Sequence, residues 1–376
     1  MERRTVNCNE YGSTIQVASF MGEDANEMHA IIHVTPQMDG FESQLSRILD
    51  TYSLLLSMYP SYTCIFKRYF LSDATNQAMF LPTESNIAVS SIQQPPLDGS
   101  KVSLWCYMVS GVKAKADKNT AVFEHNGYAL HFQTNLFNPS GDSYRQTQHI
   151  LEQLVQYLKE TDMTLTANCL RTWFFIRDVD TQYAGMVKAR RELFEQQGLT
   201  DKTHYIASTG IGGNPAHPSA LVQLESYAVK GLGPRQFHHL YAPTHLNPTY
   251  EYGVTFERAT KVKYGDRSHI LVSGTASIDN KGNVLHLGDV VKQCHRMWEN
   301  VEMLLKEGGS SLNDVAQIIV YLRDSADYAI VNQLFQEKFP DFPVVITLAP
   351  VCRPTWLIEM ECIAISSKGD KLFPNF

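Results

Sequence analysis

The chain has 376 residues, 44% of them apolar and 19% charged, with a formal charge of −7, which suits a soluble protein with two or three ordinary cores. No cluster of Lys or Arg stands out against that acidic balance, so neither nucleic acid nor an anionic membrane is an expected partner. No stretch approaches the roughly 20 apolar residues of a membrane helix, and the opening Met-Glu-Arg-Arg lacks the apolar run of a secretory signal, so the expected location is cytoplasmic.

Along the chain one pattern, strand, strand, helix, strand, helix, strand, is written three times. In residues 1–115, Gln44 to Asp50 and Tyr52 to Leu56 read as a helix and Lys67 to Asp73 as an apolar strand. Only Ala74 to Glu84 remains where the second helix should follow, and Pro82 limits it further, so this first unit is degenerate. In residues 116–232, Gln146 to Glu152 and Leu154 to Leu158 repeat the first helix, Thr172 to Asp178 the strand, and Tyr183 to Gln197 supplies the second helix. Residues 233–249, rich in Gly, Pro, Tyr and His, read as a linker or as a segment folded over a cleft.

Residues 250–376 complete the series. His269 to Gly274 is a strand and Asp279 to Asn283 a turn; Val290 to Lys306 is a helix ended by Gly308 and Gly309. Ile318 to Asp324 is the next strand, Tyr328 to Phe339 a helix stopped by Pro340, and Trp356 to Ile365 the last strand. Gln44 and Asp50, Gln146 and Glu152, Gln293 and Glu299 share one spacing, which marks an internal repeat. The fold class is therefore α+β, with three tandem units covering one another's helix-free faces as an intramolecular pseudo-trimer and leaving clefts between neighbours. One chain supplies all three units, so a monomer suffices.

Chemistry concentrates in the third unit. Glu359 and Glu361 are two apart on a strand and face the same way; the second unit has Gln223 and Glu225 there, and the first Ser103 and Trp105. Like charge from Glu361 should raise the pKa of Glu359 toward that of a usable general acid, although an edge strand with two solvated acids is the plain alternative. Arg353 either pairs with one of these acids or grips an anionic substrate, and Cys352 is a small buried residue unless its surroundings say otherwise. Arg171 is a charge in an otherwise apolar strand. Ser208, Thr209 and Gly210, like Gly274 and Thr275, form an anion cradle or simply a tight bend. Seven scattered cysteines without a C-x-x-C pair and thirteen histidines without ligand spacing predict no disulfide framework, metal or cofactor.

The repeated unit resembles the YjgF/Rid (reactive-intermediate deaminase) fold, also described as chorismate-mutase-like, whose separate subunits form trimers with clefts between them. Arg171 to Trp173, Ser208 to Gly212, Pro234 to Gln236, Ser273 to Ile278, His286 to Asp289, the run to Asp324, and Cys352 to Glu361 are more specifically similar to the chorismatase family. That resemblance implies a hydrolase or lyase that splits the enolpyruvyl ether of chorismate, or of a related small carboxylate, and releases pyruvate. It implies Glu359 as proton donor and Cys352 as the position associated with 3-hydroxybenzoate formation; the spacing makes Glu361 the expected pKa-tuning neighbour, and Arg171, Arg323 and Arg353 are the natural clamps for the two carboxylates of chorismate. A Rid-type imine or enamine deaminase is the second reading. In that family an Arg on the strand before the last binds the substrate, and Phe342 to Thr347 contains none. A non-catalytic small-carboxylate binder is the third.

Overall fold

In the computed structural model, which describes residues 1–117 and 119–376, each repeat builds one six-stranded sheet. The first runs in the spatial order Glu2–Cys8, Ser13–Phe20, Glu27–Val34, Val102–Ser110, Tyr62–Leu71, Ala88–Gln93. The second runs Ala207–Gly212, Cys169–Ile176, Val222–Lys230, Tyr128–Phe137, Thr120–His125, Ala114–Asp117, and the third Phe237–Leu240, Ala259–Lys263, Ser268–Ala276, Ile358–Ser366, Val315–Leu322, Val344–Leu348. Each sheet has one parallel pairing, at its helix-crossed edge, because parallel neighbours need a crossover connection. Helices Val179–Gln196 and Tyr328–Lys338 make it in units two and three, whereas unit one has only the turn Ala74–Gln77 before Pro82.

The other helices, Phe41–Met58, Ser143–Glu160 and Val290–Glu307, explain the repeated glutamine. Its side-chain oxygen accepts the backbone N–H of Lys101, Leu221 and Leu357 at 2.7, 2.7 and 2.9 Å. Those residues immediately precede the last strand of each sheet, so a buried amide ties the helix start to the strand that carries Ser103, Gln223 or Glu359. The expected linker is only partly one: Phe237–Leu240 pairs with Ala259–Lys263 as an edge strand. Its Gly- and Pro-rich surroundings hid a strand that needs one partner only.

The three helix-free faces turn toward a common axis. There Phe66, Trp105 and Tyr107 of unit one meet Phe132, Trp173 and Tyr227 of unit two and Leu271 of unit three, with Phe132 stacked on Tyr227 at 4.6 Å between centroids. Gln93 pairs with Asn214, Pro96 with Thr347 and Ile211 with Val351, so every unit is also stitched to the next through backbone. Each boundary further buries an ion pair: Arg68 with Glu225 at 2.5 Å, Arg171 with Glu361 at 2.8 Å, and Arg267 with Glu27 at 2.7 Å. No helix among the described residues is long and apolar enough to cross a membrane.

Removing one partner of such a pair strands the other charge in low dielectric. Arg68→Met should cost about 3–5 kcal/mol in urea denaturation, and Arg68→Met combined with Glu225→Leu should recover most of it; equal destabilisation in both variants would show that the arginine acts through packing alone.

Candidate active site

The boundary between units two and three holds a narrow cleft lined by residues of both units. Unit two supplies Tyr183 and Arg190 from its second helix and Ser208, Thr209 and Gly210 from an edge strand; unit three supplies Arg258, Gly274, Cys352, Arg353, Trp356 and Glu359. Tyr252, Val254 and Phe256, following the expected linker, fold over it as a strap.

Glu359 and Glu361 are the second and fourth residues of the strand Ile358–Ser366 and are 4% and 2% exposed. Their surroundings differ sharply. Glu361 accepts from Trp173 Nε1 at 2.7 Å, Arg171 Nη2 at 2.8 Å and Thr209 Oγ1 at 2.5 Å. Glu359 receives no hydrogen bond from the described residues. Burial first, and the like charge of Glu361 second, push its pKa up to about 8, against an opposing pull from Arg258 and Arg171. Like charge, the cause expected from sequence, is thus the smaller of the two.

Pseudo-symmetry shows why the carboxyl has room. A bulge opposite the fourth residue of the last strand places Asn135 in unit two where unit three has Gly274. Asn135 accepts from Ser91 N at 3.1 Å and from Gln223 Nε2 at 3.0 Å, so the counterpart cleft is filled by amides. At Gly274 a β-carbon would fall 2.0 Å from Glu359 Oε1. Absence of a side chain there leaves the space that the acid occupies.

Three arginines face this acid without a carboxylate partner among the described residues. Arg190 donates to Thr255 Oγ1 and lies 3.5 Å from Ser208 Oγ, and its Nη2 is buried without a partner. Arg258 donates Nε and Nη2 to Asn247, leaving Nη1 for the cleft. Arg353 lies over the rings of Tyr252 and Trp356 at 4.9 and 5.3 Å and pairs with neither glutamate. The Cys352 thiol sits against Tyr183, and burial pushes its pKa up to about 12, so it stays protonated.

The other sequence candidates are placed differently. Arg171, expected as a substrate clamp, is 1% exposed and committed to Glu361 and Thr209, because a guanidinium in a sheet core must take the nearest carboxylate. Arg323 lies outside the cleft, paired with Asp180 at 2.5 Å. Thr275 turns its hydroxyl back to Ser273 O. Ser208 accepts from Thr172 Oγ1 at 2.9 Å beside Arg190. Gly210 packs against Tyr183. Arg190 and Arg258 escaped the sequence reading, although Arg190 shares a helix stripe with Met186, Leu193 and Phe194, where a charge is out of place.

The Endoribonuclease L-PSP family model matches residues 258–366. Over 272 residues the chain is 28% identical to a 3-hydroxybenzoate synthase of Streptomyces hygroscopicus, spanning 66% of this chain and 77% of that protein. It is 38% identical over 97 residues to a RutC family protein of Pyrococcus abyssi and 34% identical over 100 residues to the 3-aminoacrylate deaminase RutC of Acinetobacter baylyi. Each of those matches spans 25% of this chain, with 76% and 77% of the respective relative covered. A chorismatase crystal structure has the same fold, with a TM-score of 0.65 at 18% identity over 80% of this chain and 93% of that one.

Two outcomes test the site. Gly274→Asn should fold yet close the cleft as Asn135 closes its counterpart, read as loss of ligand binding with an unchanged circular-dichroism spectrum. The folded chain holds the Glu359 proton to about pH 8, against an ordinary value of 4.5, so it binds more protons than the unfolded chain in between. Stability then falls as pH rises through that window, by up to about 1.4 kcal/mol per pH unit. Glu359→Gln removes this loss, so its urea midpoint should gain on wild type steadily from pH 5 to pH 8; a constant difference would place the proton elsewhere.

Proposed function

Because the chain belongs to the YjgF/Rid superfamily, close to the chorismatases, we propose that the cleft between units two and three cleaves an enolpyruvyl ether, with chorismate as substrate. One observation carries this reading: a buried carboxyl that accepts no hydrogen bond and keeps its proton to about pH 8 faces three arginines without carboxylate partners. A dicarboxylate with an acid-labile carbon–carbon double bond matches that arrangement.

In the proposed reaction Arg258, Arg190 and Arg353 hold the two substrate carboxylates, and Glu359 delivers its proton to the terminal methylene of the enol ether. The ether carbon becomes an oxocarbenium ion, whose positive charge is stabilised by the Glu359 carboxylate just formed and by Glu361 behind it. Water adds to that carbon and gives a proton back to the Glu359 carboxylate; the resulting hemiketal breaks its bond to the ether oxygen, which takes the hemiketal hydroxyl proton and stays on the ring as a hydroxyl, and pyruvate is released. Tyr183 and the Cys352 thiol, both protonated, border the reacting centre as donors. The deaminase reading fits less well, since the strand Val344–Leu348 carries Thr347 as its one polar side chain and no arginine to anchor a carboxylate.

Pyruvate release from chorismate is the direct assay. Glu359→Gln should lower turnover by about 10²–10⁴-fold while binding survives, and the wild-type rate should fall as pH rises past about 8, where the acid loses its proton. Arg258→Met should raise KM roughly 10–100-fold, the loss of a charge-assisted hydrogen bond. No pyruvate from wild type, or equal rates for wild type and Glu359→Gln, would leave the cleft as a carboxylate-binding site only.

A further inference from the structure

The hydroxyl of Thr209 sits where units two and three meet. Its oxygen is 2.9 Å from Gly274 N and 2.6 Å from Arg171 Nη2, both of which donate to it. Those two contacts occupy its lone pairs. Its single proton therefore points to Glu361 Oε2, 2.5 Å away. The remaining groups on that carboxylate, Arg171 Nη2 and Trp173 Nε1, can donate but never accept. A proton on Glu361 Oε2 would point at a group unable to receive it, and one on the remaining lone pair of Oε1 would find no acceptor among the hydrogen-bond partners of that carboxylate.

Glu359, facing the same way two residues earlier, meets no such obstacle. We propose that Thr209 is a positioning residue whose hydroxyl, unable to reverse, assigns the one proton of the Glu359 and Glu361 pair to Glu359 and so keeps the acid on the substrate side. Its counterpart in unit one, Ser90, likewise donates to Glu225, but Gln223 stands where Glu359 would be, so no proton needs assigning there. The same hydroxyl fixes the Gly274 backbone against which the Glu359 carboxyl rests. A residue that the sequence leaves open between an anion cradle and a tight bend thus acts on a proton instead.

The inference rests on the reading of Glu359 as the acid, and its test has one arm that needs no substrate. In the ligand-free protein the infrared carbonyl stretch of a protonated carboxyl should vanish with Glu359→Gln and survive with Glu361→Gln. In Thr209→Val, which keeps both acids, the single band should split into two, because the proton is then shared between Glu359 and Glu361. With chorismate, Thr209→Val should lower kcat about tenfold or more, the equivalent of one hydrogen bond to a charged group, while KM changes far less and the basic limb of the pH profile moves up, not down. Thr209→Ser should restore both patterns, and Thr209→Ala gives the same reading should Thr209→Val not fold. A single, unshifted band in the Thr209→Val and Thr209→Ala proteins, or a Thr209→Ser protein that behaves like Thr209→Val, would overturn the proposal. If wild type releases no pyruvate while the band behaves as expected, the reaction assignment fails and the proton assignment stands.

Discussion

A carboxylate withdrawn from water must find a cation or keep its proton, and the architecture turns on that constraint. At each boundary between units a glutamate is inserted into the neighbouring unit and met by an arginine: Glu225 by Arg68, Glu361 by Arg171, Glu27 by Arg267. Such pairs add little net stability, but a slipped register would strand both charges, so they specify how the three sheets fit. Glu27 shows how fully the requirement is met, since it also accepts from His269 and from the Tyr107 hydroxyl. Glu359 is the exception. It lies beside one of these pairs and receives none of the donors, and the proton it keeps is what makes it chemically distinct.

Pseudo-symmetry has the opposite effect on the clefts. Three quasi-equivalent positions exist along the last strands, yet Gln223 and Asn135 occupy one with paired amides, and Ser103 stands at another without a carboxyl. At the third, Gly274 leaves a void that Glu359 fills, and the strap through Tyr252 and Phe256 closes over it. A glycine in a bulge and a carboxyl on the last strand, rather than any new fold element, separate this boundary from its copies. The same bulge gives Thr209 a backbone N–H to hold, which links the shape of the cleft to the state of its acid.

The third helix pair and its strands were legible because periodicity and stop signals act locally: Val290–Glu307 ends at Gly308, and Tyr328–Lys338 ends just ahead of Pro340. Glu359 and Glu361 were legible as a pair because alternate strand residues share a face. Their division of labour was not, since which acid receives donors depends on Trp173, Arg171 and Thr209 in another unit. The arginines show the same limit. Arg171 drew attention as a charge among apolar neighbours and turned out to be spent on Glu361, whereas Arg190 and Arg258 have their free edges in the cleft.

By itself the sequence determined three α+β units, the reduced second helix of the first, and the presence of two acids on one strand found in that form only in the third. Those features follow from residue spacing within a few turns of chain. Tertiary structure alone decided which groups lose water together: that Phe237–Leu240 is a strand and the residues after it a strap, that Gly274 makes room where Asn135 takes it, and that burial raises the pKa of Glu359. Burial and pairing are properties of the assembled boundary, and residues well separated in the chain settle them.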